Sequence, residues 1–440
     1  MAQAEAPAVE ERRIDLATAL RLAGAENPTI AIADEAVQAR LAERLQARAL
    51  LFPTLDLGTN LRLHRGNYLS GTGVIRDINI QSLYYGFGAG ASGGSTVAVP
   101  GLRVVSQLAD AYYAPQAAQQ KVVASRFDAT ATRQYILKDV GVSYLALVEA
   151  YARLEAYRQS LKDVEEIARL TATAAKTGQG RESDAERARS EVLLLRAAAE
   201  RTQEATGVAA AELVRLLDLD PSNTLAPADV VPPLLELVDK NLSLPQLLDQ
   251  AFANHPEIVA RSADVNYQAI RVRQERVRPW LPLVAVGFSA GEFGGGNQSS
   301  TPRITNFNSR IDVDVAFIWT MQNLGVGNHA VQRAARANLE LARIEQTRLL
   351  DRIGDEVTEA HALVISARQE MELARKRVET SQSAYTQDLA RTKNLVGRPI
   401  EVLNSANLLT TARQDLVRAM IGYSQAQLQL YAALGNQPGN

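Results

Sequence analysis

Two periodicities divide the chain. Ser309 to Trp319 alternates almost without fault: Ile311, Val313, Val315, Phe317 and Trp319 fall on one side, Arg310, Asp312 and Asp314 on the other. Strict period-2 alternation predicts a half-buried strand. A second such run, 54–64, sets Leu55, Leu57, Leu61 and Leu63 against Asp56, Asn60, Arg62 and His64. Elsewhere the apolar positions return every three, four or seven residues. Ala342, Leu349, Ile353, Ala360, Val364, Ala367, Met371, Ala374 and Val378 have coiled-coil seam spacing, with small knobs that let helices approach closely.

These patterns occur twice. The stretch IDLATALRLAGAENPTI (14–30) matches LSLPQLLDQAFANHPEI (242–258), a constant offset of 228 from 14 to 242. Asn27 and His255 each precede a Pro, as cap residues before a helix that Pro begins. Both halves then predict one plan. A helix (28–52; 257–278) leads into a strand (54–64; 281–291). A Gly/Ser/Asn-rich loop and a second strand follow (near 96–108; 309–320). A very long helix comes next (116–177; 330–394), then a glycine-containing break and a last helix (182–217; 401–434). At ~1.5 Å per residue the long helices span roughly 90–100 Å. The two shorter helices of each half add up to nearly that, so stacked end to end they can line a long one. The expected class is mainly α with a β-barrel part. The expected division is 1–26, a first repeat 27–217, a linker 218–254, a second repeat 255–434 and a tail 435–440.

Composition narrows the function. The net charge of -2 offers no basic field for nucleic acid. With no cysteine there is no disulfide, thiol nucleophile or Cys-based metal site. No run of 18 apolar residues predicts a transmembrane helix. The N-terminus, MAQAEAPAVEERR, lacks the apolar core of a signal peptide; it reads either as cytosolic or as a mature chain whose signal has been removed.

The strands change that picture. Each is about 9–12 residues long, enough to cross a bilayer as a tilted β-strand with one lipid face and one water face. All four helix–strand junctions carry an aromatic: Phe52, Tyr112 with Tyr113, Trp280 and Trp319. A belt at one membrane surface would have this placement. Four strands cannot close a barrel or hide their own edges. Three chains would supply twelve, with the polar inner face solvated.

These features resemble the outer-membrane efflux protein family, the TolC-like channels. The resemblance runs from about Ile14 to Gly435. It rests on the duplicated opening motif, the LFPTLDL and WLPLVAV junctions, WTMQNLGVGNHA after the fourth strand, and the closing LVGRPIEVLNSANLLTTARQDLVRA. It implies a homotrimer with a 12-stranded barrel in the outer membrane, a helical tunnel in the periplasm, and a belt of small elements from 1–26, 218–254 and 435–440. It also implies a non-enzymatic exit duct for drugs, metal ions or proteins, served by a periplasmic adaptor and an inner-membrane transporter. No cofactor is implied. In such a channel the turns bearing Gly178 and Gly180, and Val396 and Gly397, form the closed tip and the adaptor-docking site. Asp184, Glu186, Glu401 and Asn404 would face the narrowing pore, where three-fold symmetry makes each a ring and acidic rings favour cations. Arg181 and Arg398 would pair with carboxylates to hold the tip shut. Against the family pattern, Gly397 and Glu401 are closely spaced and Pro399 intrudes.

Other motifs carry less. GVGNHA (325–330) spells G-x-G-x-x-A after a strand and before a helix, with Glu345 downstream, as a dinucleotide fingerprint would. A central parallel strand is apolar on both faces, however, and this one holds Asp312 and Asp314. GAGASG (88–93) has no helix after it and reads as a loop outside the cell. His64, His255, His329 and His361 lack ligand spacing, so no metal site is expected. The competing class is a soluble coiled-coil scaffold or adaptor, which would need no outward band of Val, Ile, Phe and Trp.

Overall fold

The computed structural model describes residues 11–55, 57–88, 102–297, 307–394 and 396–437. They form two compact units, and each takes pieces of both repeats. One comprises residues 1–36, 126–260 and 347–440; the other comprises 37–125 and 261–346.

In chain order the elements are β1 (Glu11–Ile14), α1 (Leu16–Glu26), α2 (Pro28–Ala49), β2 (Thr54–Leu55), β3 (Leu57–Leu69), β4 (Ile75–Gly88), β5 (Leu102–Gln107), α3 (Leu108–Lys176), α4 (Glu182–Leu216), β6 (Thr224–Pro227), α5 (Leu244–Asn254), α6 (Pro256–Val277), β7 (Leu283–Asn297), β8 (Asn308–Ile318), α7 (Val326–Lys393) and α8 (Pro399–Ala433). The duplication is visible in the lengths. Helices α2 and α6 both have 22 residues, α4 and α8 both have 35, and α3 and α7 have 69 and 68. The repeats differ in length at the strands, where the first half carries more chain. As expected, Pro28 and Pro256 open helices, where a missing N–H costs nothing.

The helical unit is built on four cores. Around the turns that join the paired helices, Val164, Ile167, Val192, Leu195, Tyr385, Val402, Leu403 and Leu409 pack α3, α4, α7 and α8 together. The seam from the sequence is the buried stripe of α7: Leu349, Ile353, Ala360, Met371 and Ala374 are all buried. Residues 11–26 and the start of the 218–254 segment meet here. Strand β1 pairs in parallel with β6, and Ile14, Leu20 and Ala23 share a core with Leu213, Leu217 and Leu225. The other unit holds a single antiparallel sheet of β2, β3, β4, β5, β7 and β8.

One expectation needs correction. The loop foreseen after the first strand is in large part a strand: β3 runs on to Leu69, turns, and returns as β4 through Gly88. Residues 89–93 of GAGASG lie outside the described residues, as does the first part of the strand foreseen near 96–108.

Candidate functional site

The six strands of the sheet make four rows. Gly88 pairs with Ser289 and Leu102 with Phe288, so β4 and β5 continue one another along β7. Likewise Leu55 of β2 faces Leu102 of β5, while Leu57 of β3 faces Phe87 of β4. The rows are therefore β2–β3, β4–β5, β7 and β8, a four-row antiparallel meander with β3 at one edge and β8 at the other. The rows nearest the middle come from different repeats, so β7 joins the two halves.

Directly paired residues share a face of a sheet, so register separates the two faces. Val104, Val286 and Val315 form one cross-strand line. Phe288 stands beside Val313, and Ala290 beside Ile311. On β8 this face exposes Ile311, Val313, Val315 and Phe317, each more than half exposed in the chain. The opposite face is small or polar: Arg310 beside Gly291, Asp312 beside Ser289, Asp314 beside Gly287. Asp312 accepts from Arg310 Nε at 2.8 Å and from Ser289 Oγ at 3.2 Å.

The apolar face has two borders. At one, Thr59, Tyr85, Glu292 and Ser309 form a polar cross-strand line, and the Tyr85 hydroxyl donates to Glu292. At the other lie the foreseen aromatics: Phe52, Tyr112, Trp280 and Trp319 are all exposed. The Trp319 ring N–H donates to the Trp280 carbonyl at 3.3 Å, and Tyr112 meets Tyr113 edge-on at 4.8 Å. From Ile311 to Trp319 the band runs about nine residues, ~30 Å of strand, the reach of a tilted crossing.

Sequence reasoning missed what holds this joint together. Arg278 forks between Asp110 (3.0 and 2.5 Å) and Glu275 (2.8 and 3.0 Å), and Gln274 donates to Asp110 at 2.5 Å. Gln274 and Glu275 are buried. Gln107 donates to the carbonyls of Arg278 and Leu281 at 3.3 and 3.1 Å. These side chains bond one another, and Gln107 caps two carbonyls, where β5 becomes α3 and α6 gives way to β7 and backbone groups lose their ladder partners; the Gln107 Oε1 is buried without a partner. Only Arg278 beside Pro279 hinted at it, and the Asp110 partner is far away in sequence.

The glycine motif at 325–330 has a structural cause. After β8 the chain makes a tight turn in which Asn323 (φ 50), Leu324 (φ 57) and Gly325 (φ 92) are all left-handed. A Cβ on Gly327 would lie 2.9 Å from Gln322 Cβ, and the Asn328 side chain accepts from Gln322 N at 2.8 Å. The glycines thus serve a strand-to-helix turn, and the sheet around it is antiparallel, unlike a dinucleotide-binding unit. A left-handed non-glycine residue costs roughly 1–3 kcal/mol, so the turn holds strain at Leu324.

Among the described residues the two helix turns share one hydrogen-bond pattern. After α3, Gln179 N and Gly180 N both donate to Ala174 O, each at 2.9 Å; after α7, Val396 N and Gly397 N both donate to Arg391 O, at 3.0 and 3.1 Å. A Cβ on Gly180 would stand 3.0 Å from Ala174 Cβ, and one on Gly397 3.0 Å from Arg391 Cβ. Gly178 has φ 73. Arg181 and Arg398 then occupy the N-caps of α4 and α8 with nearly equal extended backbones. Asp184 and Glu401 fall at the same helical position, their amides bonded to Arg181 O (3.1 Å) and Arg398 O (2.9 Å). Pro399 opens α8 without disturbing this register.

The gate candidates have different surroundings. Asp184 lies 3.6 Å from Arg187 and is largely covered; Glu186 pairs with Arg189 at 2.9 Å and is exposed. Glu401 reaches back to Arg398 N at 3.4 Å. Asn404 and Val396 are exposed. Among the described residues, neither Arg181 nor Arg398 forms an ion pair within its own chain. Deeper, Arg413 binds Asp163 at 2.7 Å and Gln382 at 3.1 Å, tying α8 to α3 and α7. Burial pushes the nearby Tyr385 hydroxyl up to about 12. A groove of about 440 Å³ lies beside the first turn, floored by Ala168, Ala172 and Ala185 and rimmed by Glu165, Glu182 and Arg189. The four His residues stand apart, and no group of His, Asp or Glu among the described residues is placed to hold a metal.

Residues 19–218 match the family described as outer membrane efflux protein. The fold is shared with solved structures across nearly their whole length. A membrane protein from Pseudomonas aeruginosa is 19% identical, covers 99% of this chain and 97% of its own, and superposes with a TM-score of 0.78. The CmeC outer membrane channel of Campylobacter jejuni is 15% identical over 96% of this chain and 85% of its own, with a TM-score of 0.74. The open state of the MtrE outer membrane channel of Neisseria gonorrhoeae is 17% identical over 99% and 97%, with a TM-score of 0.73. No match was found among curated protein sequences.

Proposed function

We propose that this chain, which matches the outer membrane efflux protein family over residues 19–218, is one third of an export duct: a trimer whose shared β-barrel crosses the outer membrane and whose helices form the periplasmic tunnel. The family consists of channels, not enzymes. The observation that carries the reading is the four-row sheet. Its apolar face is exposed over the length of a membrane crossing, and an aromatic belt marks one end. Both of its edges belong to strands that pair on one side only. A soluble scaffold would bury such a face and cover such edges. Three copies joined edge to edge remove every edge.

The paired turns are the tip of this duct. Asp184 and Glu401, matched in position, form the acidic rings, with Glu186 and Asn404 beside them. Arg181 and Arg398 reach carboxylates of neighbouring chains and hold the tip shut. The groove beside the first turn, alanine-floored and rimmed with both charges, suits a helical hairpin of a periplasmic adaptor. The adaptor in turn links the duct to an inner-membrane transporter that selects the cargo.

Fractionation tests the placement. A precursor with its native leader is expected in the outer-membrane fraction, and recovery as a soluble protein without detergent overturns the reading. Planar bilayers test the tip. The double variant Arg181→Ser, Arg398→Ser is expected to raise single-channel conductance, and unchanged conductance removes both residues from the gate.

A further inference from the structure

The turn Met321–Val326 has no counterpart in the first repeat. There β5 passes directly into α3 at Leu108, with Ala109 and Ala111 buried and no left-handed residue in the described chain around it. The fold can therefore make this joint without strain. The second repeat instead holds a leucine in a left-handed conformation and leaves it 93% exposed. Strain that the fold does not require, spent on presenting an apolar side chain, points to a use for that side chain. Met321 and Val326 on either side are also exposed, and Met321 folds against Gly325 of the same turn. Phe317, Trp319 and Met321 continue the period-2 side of β8 that bears Ile311 and Val313, so the turn begins where the apolar face ends.

We propose that Met321, Leu324 and Val326 form a lipid-docking knob, which inserts into the periplasmic leaflet of the outer membrane beside the Trp280–Trp319 pair. This rests on the duct reading. Lipid is favoured over a second copy of the chain by continuity with the apolar face. A neighbouring strand would add along the backbone edge of β8, which stops at Ile318. In this role the knob fixes the depth of the joint, and the first repeat sets the same depth with Tyr112 and Tyr113.

The chain has no cysteine, so single nitroxide labels can be placed cleanly. Leu324→Cys, Met321→Cys, Val313→Cys and Val331→Cys would be labelled and the assembled protein reconstituted into phosphatidylethanolamine–phosphatidylglycerol vesicles. Collisions with oxygen report lipid exposure, and collisions with a water-soluble nickel chelate report water. The proposal expects labels 324 and 321 to favour oxygen, as label 313 does, while label 331 favours nickel. If 313 is in lipid but 324 and 321 favour nickel, or are shielded from both reagents by protein, the knob is refuted and the duct stands. If 313 itself favours nickel, the duct reading fails. Two knob positions keep the test decisive if one substitution disturbs the turn.

Discussion

Helices α4 and α8 are equivalent elements of the two repeats, equal in length and entered by turns with matching hydrogen bonds, yet they do different work. In α8, sixteen of 35 residues are buried, against seven in α4. Helix α8 is the element the bundle is built around. Arg413 ties it to α3 and α7, and Gly141 of α3 leaves room for Leu428, whose Cδ2 would lie 2.6 Å from a Cβ there. Helix α4 keeps its outer side exposed along a groove. Duplication preserved the backbone of the turn and divided the side-chain roles: one copy became core, the other surface.

Leu403 and Glu186 hold the same position after the two turns, one buried and one exposed. Leu403→Ala removes a buried core side chain and should cost about 2–5 kcal/mol. Glu186→Ala should stay within about 0.5 kcal/mol while weakening cation preference in bilayer recordings. Denaturant melts of the detergent-solubilised protein measure both, and equal losses would show that the helices are not divided as described. Next come the turns themselves. Gly180→Ala and Gly397→Ala each push a Cβ against the end of the preceding helix. Both should lose a similar amount, about 1 kcal/mol; a clearly unequal pair would show that the copies are not equivalent.

The smallest effect is a pH slope at the matched cap residues. Asn27 accepts from Thr29 N at 2.9 Å and donates to Leu216 O at 2.9 Å. His255 is buried, and its Nδ1 has no partner. Burial holds its imidazole below the ordinary value, more than Glu257 nearby can offset. Folding therefore favours the neutral ring. As pH falls below about 6.5, the unfolded chain takes up its proton first, so stability declines down to the lower folded value and is unaffected above 6.5. His255→Asn should flatten this part of the stability–pH profile, and Asn27→Ala should leave its shape unchanged.

How much was legible follows from which pattern stayed in phase. Ser309–Trp319 keeps one side apolar from end to end, and the strand was legible from the sequence alone. Strand β4 changes phase: Ile78 and Ile80 lie on one side, whereas Leu83 and Tyr85 lie on the other, paired with Leu61 and Thr59. The hairpin extends beyond the polar line at Thr59 and Tyr85, so no single apolar face imposes the alternation on its outer half, and a period-2 reading fails there. The α7 seam was legible because burial selects it residue by residue. The Arg278–Asp110–Glu275 joint was not, because it depends on a pairing across the two repeats that no local pattern records. The turn glycines were visible as letters, but only geometry distinguished a strand-to-helix turn from a nucleotide loop.

In the proposed duct the β2–β3 row of one chain meets β8 of the next until three chains close the barrel. Leu55→Cys with Val313→Cys tests it directly: they lie on the two edge rows, in one cross-strand line through Leu102 and Phe288, inside the apolar band. Treated with a bifunctional maleimide, the double variant should run as a covalent trimer on denaturing gels, through a dimer intermediate. Each single variant should give no trimer. A double variant that yields only monomer, or stops at dimer, would contradict the shared barrel.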